Sequence, residues 1–309
     1  MRSRTALQLA FGLFALCVPV LGIYPVFMME LLCFAMFACA FDLLLGFGGM
    51  LSFGHAAFFG SAAYATGWLV TAQGWGTVEA IAAGVAVAAS LGLIVGAIAI
   101  RRQGIYFAMI TLALSQLVYF VCLQAPFTGG ENGLQGVPRG NLLGLLPLHS
   151  DIVMYYFVLL TFVAVILFIR RIVHSPFGQV LKAIRDNEPR AVSLGYEINR
   201  HKLVAFILSA ALSGLAGSLK ALVLGFVTLS DVQQSTSGLV VLMTLIGGMG
   251  TFSGPIVGAA IIVTLQEYLS DFAGGWVTVI IGAVFVACVL AFRRGIVGEL
   301  AGRVGIKLG

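Results

Sequence analysis

The 309-residue chain is 60% hydrophobic and 9% charged, with a formal net charge of +5 and a mean hydropathy of +1.07. Soluble domains carry roughly 25% charged residues, so a soluble fold is excluded, and apolar runs that do not alternate exclude a β-barrel. The basic residues gather at the borders of those runs, as retained cytoplasmic loops do; they read as topology, and no nucleic-acid partner is expected.

Apolar runs of the length that crosses a hydrocarbon core, about 20 residues, fall near 6–28, 31–47, 53–72, 78–100, 104–124, 152–169, 203–228, 238–249, 255–270 and 274–292. The first follows Arg2 and Arg4 like a signal peptide but lacks a small-residue cleavage site, and reads as an uncleaved helix. Arg101 and Arg102, the basic residues from Arg170 to Lys202, and Arg293, Arg294, Arg303 and Lys307 mark inside segments. Glu30, Glu79, Glu131, Asp151, Asp231 and Asp271 fall at outer ends or loops. The expected fold is an all-α polytopic membrane domain over 1–309, with about 8–10 spans in a lipid bilayer and both termini cytoplasmic. Its loop 125–151 lies outside, with loop 170–202 and tail 293–309 inside. The 238–249 run is short, so a re-entrant segment is as admissible there as a full span. The five cysteines, all in apolar runs, have no metal-like spacing, and no cofactor is expected.

The stretch GFGGMLSFGHAAFFGSAAYATG (46–67) places glycines, hydroxyls and His55 at membrane depth. Missing Cβ atoms let backbones approach or a helix break. A broken backbone at that depth must be buried in protein or line a water-filled cavity. Ser52 and His55 either face such a cavity or brace the packing, and Asp42 lies one turn earlier. A second stretch, GGMGTFSGPIVGA from Gly247, echoes GGMLSFGHAAFFG from Gly48. Matched Gly-interrupted segments in two halves of a transporter point to a midplane pathway, which nominates Gly48, Gly49, Gly247, Gly248 and Thr251 beside Ser52 and His55.

In SPFGQVLKAIRDNEPRAVSLG (175–195), Ser175 is a helix N-cap with Pro176 at the first position. Phe177, Val180, Leu181 and Ile184 form one apolar stripe. Asn187 caps a second short helix that stops at Gly195. Two amphipathic helices in an inside loop suit a protein partner; a helix on anionic headgroups is the alternative. The Gly- and Pro-rich 125–150 segment reads either as a structured outer loop that serves as a docking surface or gate, or as a plain connector. Small residues at 210, 214, 218 and at 213, 217, 221 form a helix-packing face, where Lys220 snorkels outward or pairs within the bundle. The chain carries no phosphate-binding loop and no hydrolase motif.

With these blocks in view, the chain from about Leu31 to Phe292 resembles the permease subunits of branched-chain amino acid ABC importers, the kind paired with a second homologous permease. The resemblance rests on GFGGMLSFGHAAFFGSAAYA, TGGENGL, the block from Ser175 to Leu219 and LIGGMGTFSGPIVGAA. It implies ATPase coupling through Phe177, Leu181, Ile184, Arg185 and Glu188. It also implies cytoplasmic ATP-binding subunits, a periplasmic solute-binding protein, a bacterial inner-membrane location and a non-catalytic role. The solute stays open among branched-chain amino acids, urea, amides and aromatic acids. A self-sufficient secondary carrier or channel is the competing expectation.

Overall fold

A computed structural model describes residues 24–142, 146–273, 276–291 and 295–304. Among the described residues the helices are α1 (Pro25–Leu45), α2 (His55–Gln73), α3 (Thr77–Ala99), α4 (Ile105–Gln124), α5 (Asp151–His174), α6 (Pro176–Asp186), α7 (Glu188–Ser193), α8 (Ile198–Leu224), α9 (Gln234–Gly247), α10 (Gly254–Ala273), α11 (Val277–Ala291) and α12 (Gly295–Val304). Of these, α1, α3, α4, α5 and α8 are long and apolar enough to cross a membrane, and α9, α10 and α11 contribute shorter apolar stretches. The all-α polytopic membrane fold is thereby observed.

Helix boundaries follow local chemistry. The expected 6–28 run lies mostly outside the described residues, but 25–28 belong to α1, because Pro25 suits the first helical position. Helix α5 runs past its expected end to His174, placing Arg171 and His174 in its last turn, where cations meet the negative end of the helix dipole. Helix α8 stops at Leu224 because Gly225 adopts the left-handed conformation, φ +74°. Part of the expected 293–309 tail folds as α12, and Gly295 lies against the backbone of Gly248.

Helix α8 is the centre of the bundle, enclosed by α1, α2 and α3 through the small-residue face read from the sequence. A Cβ on Gly217 would collide with the Phe59 carbonyl, and one on Gly214 with Ala88. Such close approach maximises dispersion contacts between helices that have no hydrophobic drive to associate in lipid. Thr66 Oγ1 donates to Ser218 Oγ across this interface at 2.8 Å.

The two ends of the bundle differ. At one, here the α6 end, the 46–54 and 248–253 breaks meet α6 and α7. At the other, β1 (Leu134–Gln135) pairs antiparallel with β4 (Phe226–Val227). Arg139 there donates to Val223 O at 3.0 Å and pairs with Asp151, so the described residues of the 125–150 segment are fastened to the bundle. A short hairpin, β2 (Asn141–Leu142) with β3 (Leu146–Pro147), lies within it.

The chain between α8 and α9 packs beneath the β1 end, where Val227 and Val232 cluster with Cys122 and Leu134. Asp231, expected at an outer loop, is 4% exposed, because α2, α4 and α8 cover the turn that follows β4. There it lies so close to Gly60 of α2 that a Cβ would strike Val232. Lys220 of α8 does not snorkel: it pairs with Asp231 and lies 5.6 Å from the Phe34 ring. Asp231 also accepts the Thr228 N–H at 3.1 Å. The 238–249 run falls mostly in α9, a 14-residue helix whose first turn is tied to the start of α2, Ser237 Oγ accepting the Ala56 N–H at 2.9 Å.

Candidate functional site

Helix α1 ends at Leu45, and Gly46 to Gly54 dip into the bundle before α2 begins. Phe53 N–H donates to Thr111 Oγ1 of α4 at 3.2 Å, several residues inside a 20-residue helix. His55 then opens α2, fully buried. Its Nδ1 lies 3.0 Å from Ser52 Oγ and its Nε2 2.9 Å from Ser209 Oγ. Ser209 donates its hydroxyl to Ala40 O at 2.6 Å, so it accepts from Nε2–H. Ser52 Oγ accepts the Gly54 N–H at 3.2 Å, leaving its own hydroxyl to donate to Nδ1. One directed chain thus ties α1, α2 and α8, with the Nε2–H tautomer assigned by the network. The edges of Phe41, Phe58 and Phe206 enclose the ring. Both ring nitrogens and both serine hydroxyls are thereby engaged within the described bundle.

The echoed stretch repeats the break. Helix α9 ends at Gly247 and α10 begins at Gly254. The second glycine of each Gly-Gly-Met is left-handed, Gly49 at φ +69° and Gly248 at φ +118°. Each hydroxyl ties its loop just ahead of the next helix: Ser52 Oγ accepts from Gly54 N–H at 3.2 Å, and Thr251 Oγ1 accepts from Gly254 N–H at 3.0 Å. The two breaks also touch. Asp42, 2% exposed, accepts the Gly250 N–H at 2.9 Å, and a Cβ on Gly46 would overlap Gly250. Phe47 lies 5.6 Å from Phe252, which stacks on His174.

The 175–195 segment folds as its sequence dictates. Ser175 Oγ accepts from Gly178 N–H at 3.3 Å and Asn187 Oδ1 from Arg190 N–H at 3.0 Å. Its apolar stripe turns toward the bundle: Leu181 is 0% and Ile184 2% exposed, and Phe177 stacks on His201 at 5.8 Å. Arg185 turns inward too, donating from Nη1 to Gly46 O at 2.6 Å, with its aliphatic stem against Gly49. Glu188 accepts from Gln103 Nε2 and Lys202 Nζ, both at 2.7 Å. The five nominated residues therefore fasten α6 and α7 to the breaks and to α8. The outward surface is Val192 (59% exposed), Leu194 (67%) and Tyr196 (42%), which the periodic stripe did not mark because they follow it in the next helix and its stop.

A cavity of about 840 Å³ opens at the α6 end. Gly48, Gly49 and Phe53 line it from the first break, Arg185 from α6, and Ala108 and Leu112 from α4. The polar rim and apolar floor of this cavity suit a small solute. Gly247, Gly248 and Thr251 shape the second break behind Asp42 instead of lining that cavity.

Residues 26–289 match the family model described as branched-chain amino acid transport system / permease component. The chain belongs to this family. It is 31% identical over 209 residues to the high-affinity branched-chain amino acid transport system permease protein LivM of Salmonella typhimurium, covering 60% of this chain and 49% of that protein. The Escherichia coli protein of the same description is 31% identical over 208 residues, with the same coverage. The autoinducer 2 import system permease protein LsrC of Klebsiella pneumoniae is 33% identical over 100 residues, 31% of this chain and 29% of that protein. The chain spans about half the length of the LivM relatives. No solved structure matches.

Proposed function

We propose that the chain is the permease subunit of an ATP-driven importer for branched-chain amino acids or a related small polar solute. In this reading it forms the translocation pathway with a second, homologous permease in the bacterial inner membrane. The α6 end faces the cytoplasm and two ATP-binding subunits. The 125–150 segment faces the periplasm and a solute-binding protein. The termini are cytoplasmic.

The observation that carries this reading is the Arg185–Gly46 hydrogen bond, because it joins an amphipathic inside loop to a glycine-broken membrane helix. ATPases gripping Val192, Leu194 and Tyr196 would move α6 and α7 as one body, since Leu181 and Ile184 anchor that body by burial. The movement reaches the first break through Arg185 and reaches α8 and the α3–α4 turn through Glu188. The second break follows because Asp42 holds Gly250. Gly48 and Gly49 then line the route, Gly247, Gly248 and Thr251 hinge its second half, and Ser52 with His55 brace its wall. Alternating access requires an element with two arrangements, and glycine-broken segments supply one at modest backbone cost.

The test is affinity purification from native membranes in mild detergent, followed by transport in liposomes. Recovery of an ATPase, lost on Val192→Asp with Leu194→Asp while the permease stays folded, supports the reading. Recovery of the chain alone, still transporting without ATP, sinks it in favour of a self-sufficient carrier or channel.

A further inference from the structure

The cavity at the α6 end stops at Leu112 of α4, but the helix face that lines it continues. Ile105, Ala108 and Leu112 all border the cavity, and the next residue on that stripe is Gln116, one turn on. Helix α4 has 20 residues and so measures about 30 Å, which puts Gln116 near the middle of a hydrocarbon core. Its Nε2 donates to Oε1 of Gln234 at 3.4 Å. Gln234 is the first residue of α9, whose first turn is held at this depth because Ser237 Oγ accepts the Ala56 N–H of α2 at 2.9 Å.

Around this contact, Gln233, Gln234 and Ser235 are exposed. One turn along α9, Gly238 borders open space, with no described atom within 4 Å of where a Cβ would stand. Ser235 Oγ donates to Gln233 Oε1 at 3.2 Å, but each amide keeps further donors and acceptors, and polar groups at the bilayer midplane face protein or water rather than lipid. The neighbouring α4 positions Leu117 and Phe120 are exposed and apolar, as a lipid-facing stripe is.

We propose that Gln116 and Gln234 form a solute-contact pair at the midplane, taking the zwitterionic end of an α-amino acid as it passes toward the cavity. The amide oxygens accept from the ammonium group and the amide N–H groups donate to the carboxylate, displacing a long, weak amide–amide bond. Neither amide is charged, so the pair orients the solute without retaining it, and the side chain is left to the apolar floor at Leu112 and Phe53. This rests on the transport reading above and assigns it a specific contact.

The experiment uses the assembled transporter in proteoliposomes with radiolabelled L-leucine. Gln116→Leu and Gln234→Leu should each lower uptake by roughly tenfold to a hundredfold, the range for losing a hydrogen bond to a charged group. In a background without the five native cysteines, Gln116→Cys and Gln234→Cys should react with a hydrophilic methanethiosulfonate, more slowly when leucine is being transported. Leu117→Cys should not react. The labelling decides the matter even where a leucine variant fails to assemble. Cysteines at 116 and 234 that stay unlabelled, because the second permease covers them, overturn the proposal, as do unchanged uptake rates. A wild-type assembly that moves no leucine overturns the transport reading instead.

Discussion

Asp42 and Gly250 lie 208 positions apart, and the carboxyl oxygens of the first accept the amide N–H of the second at 2.9 and 3.2 Å. The bond closes the contact between two loops with the same Gly-Gly-Met opening, so the echo in the sequence is also a meeting point in the fold. Asp42→Ala removes both acceptors and leaves a part-buried N–H unsatisfied, at about 1–3 kcal/mol. Asp42→Asn keeps one acceptor and loses less. Thermal unfolding in detergent should rank wild type above Asn above Ala, and Ala equal to wild type would remove the bond from any role in the break.

Arg185 transmits in one direction or not at all. Its bond to Gly46 O is made by Nη1, at the far corner of a planar guanidinium that a lysine ammonium does not reproduce. Arg185→Lys should therefore behave like Arg185→Ala: solute moved per ATP hydrolysed falls about tenfold. Parallel assays of hydrolysis and uptake check this, and a proportional fall in both would mean that Arg185 only stabilises the complex.

Lys220 and Asp231 fasten the chain between α8 and α9 to the bundle. Their side chains are 11% and 6% exposed, and removing one partner of such a buried pair costs about 3–5 kcal/mol because the other charge is stranded. Lys220→Met alone should strongly destabilise the subunit. Adding Asp231→Asn, which keeps an acceptor for the Thr228 amide, should restore most of the loss. A double variant no better than the single would show that the pair holds the 226–233 segment by charge attraction alone.

Much of this was legible in the chain, and the boundary of legibility is physical. Ser175, Pro176, Asn187 and Gly195 determine α6 and α7 because capping depends on neighbours a few positions away. The stripe through Leu181 and Ile184 announces a covered face but not the body covering it, which is this chain's own bundle. Glycines 49 and 248 mark breaks because left-handed backbone favours them. The contacts that give the site its geometry, Asp42 with Gly250, Ser209 with His55 and Gln116 with Gln234, join positions over a hundred residues apart. The short apolar run at 238–249 announced a short helix, but nothing local told that Asp231 would be buried beside Lys220.

Gly217 and Gly282 offer a direct contrast in packing. A methyl on Gly217 meets the Phe59 carbonyl, which belongs to helical backbone and has nowhere to move, whereas one on Gly282 meets nothing within 4 Å. Gly217→Ala should cost about 1–3 kcal/mol as overpacking. Gly282→Ala should be neutral or gain about 0.5–1 kcal/mol from the helix interior. Denaturation of the purified subunit in detergent measures both, and equal effects would contradict the close approach of α2 and α8.

His55 separates a brace from a pathway residue by where its loss registers. The ring joins Ser52 to Ser209, so His55→Ala opens a cavity among Phe41, Phe58 and Phe206, leaves the Ser52 hydroxyl without its acceptor, and takes one donor from Ser209, whose own hydroxyl stays on Ala40 O. The sum is about 2–5 kcal/mol. Ser209→Ala should lose less, and the double variant should lose clearly less than the sum of the singles, since both break one chain. If His55 instead met solute, His55→Ala would slow uptake at unchanged unfolding temperature, and its effect would add to that of Ser209→Ala. The fully buried ring predicts the first pattern: a marked fall in unfolding temperature, with uptake falling in step with the amount of folded permease.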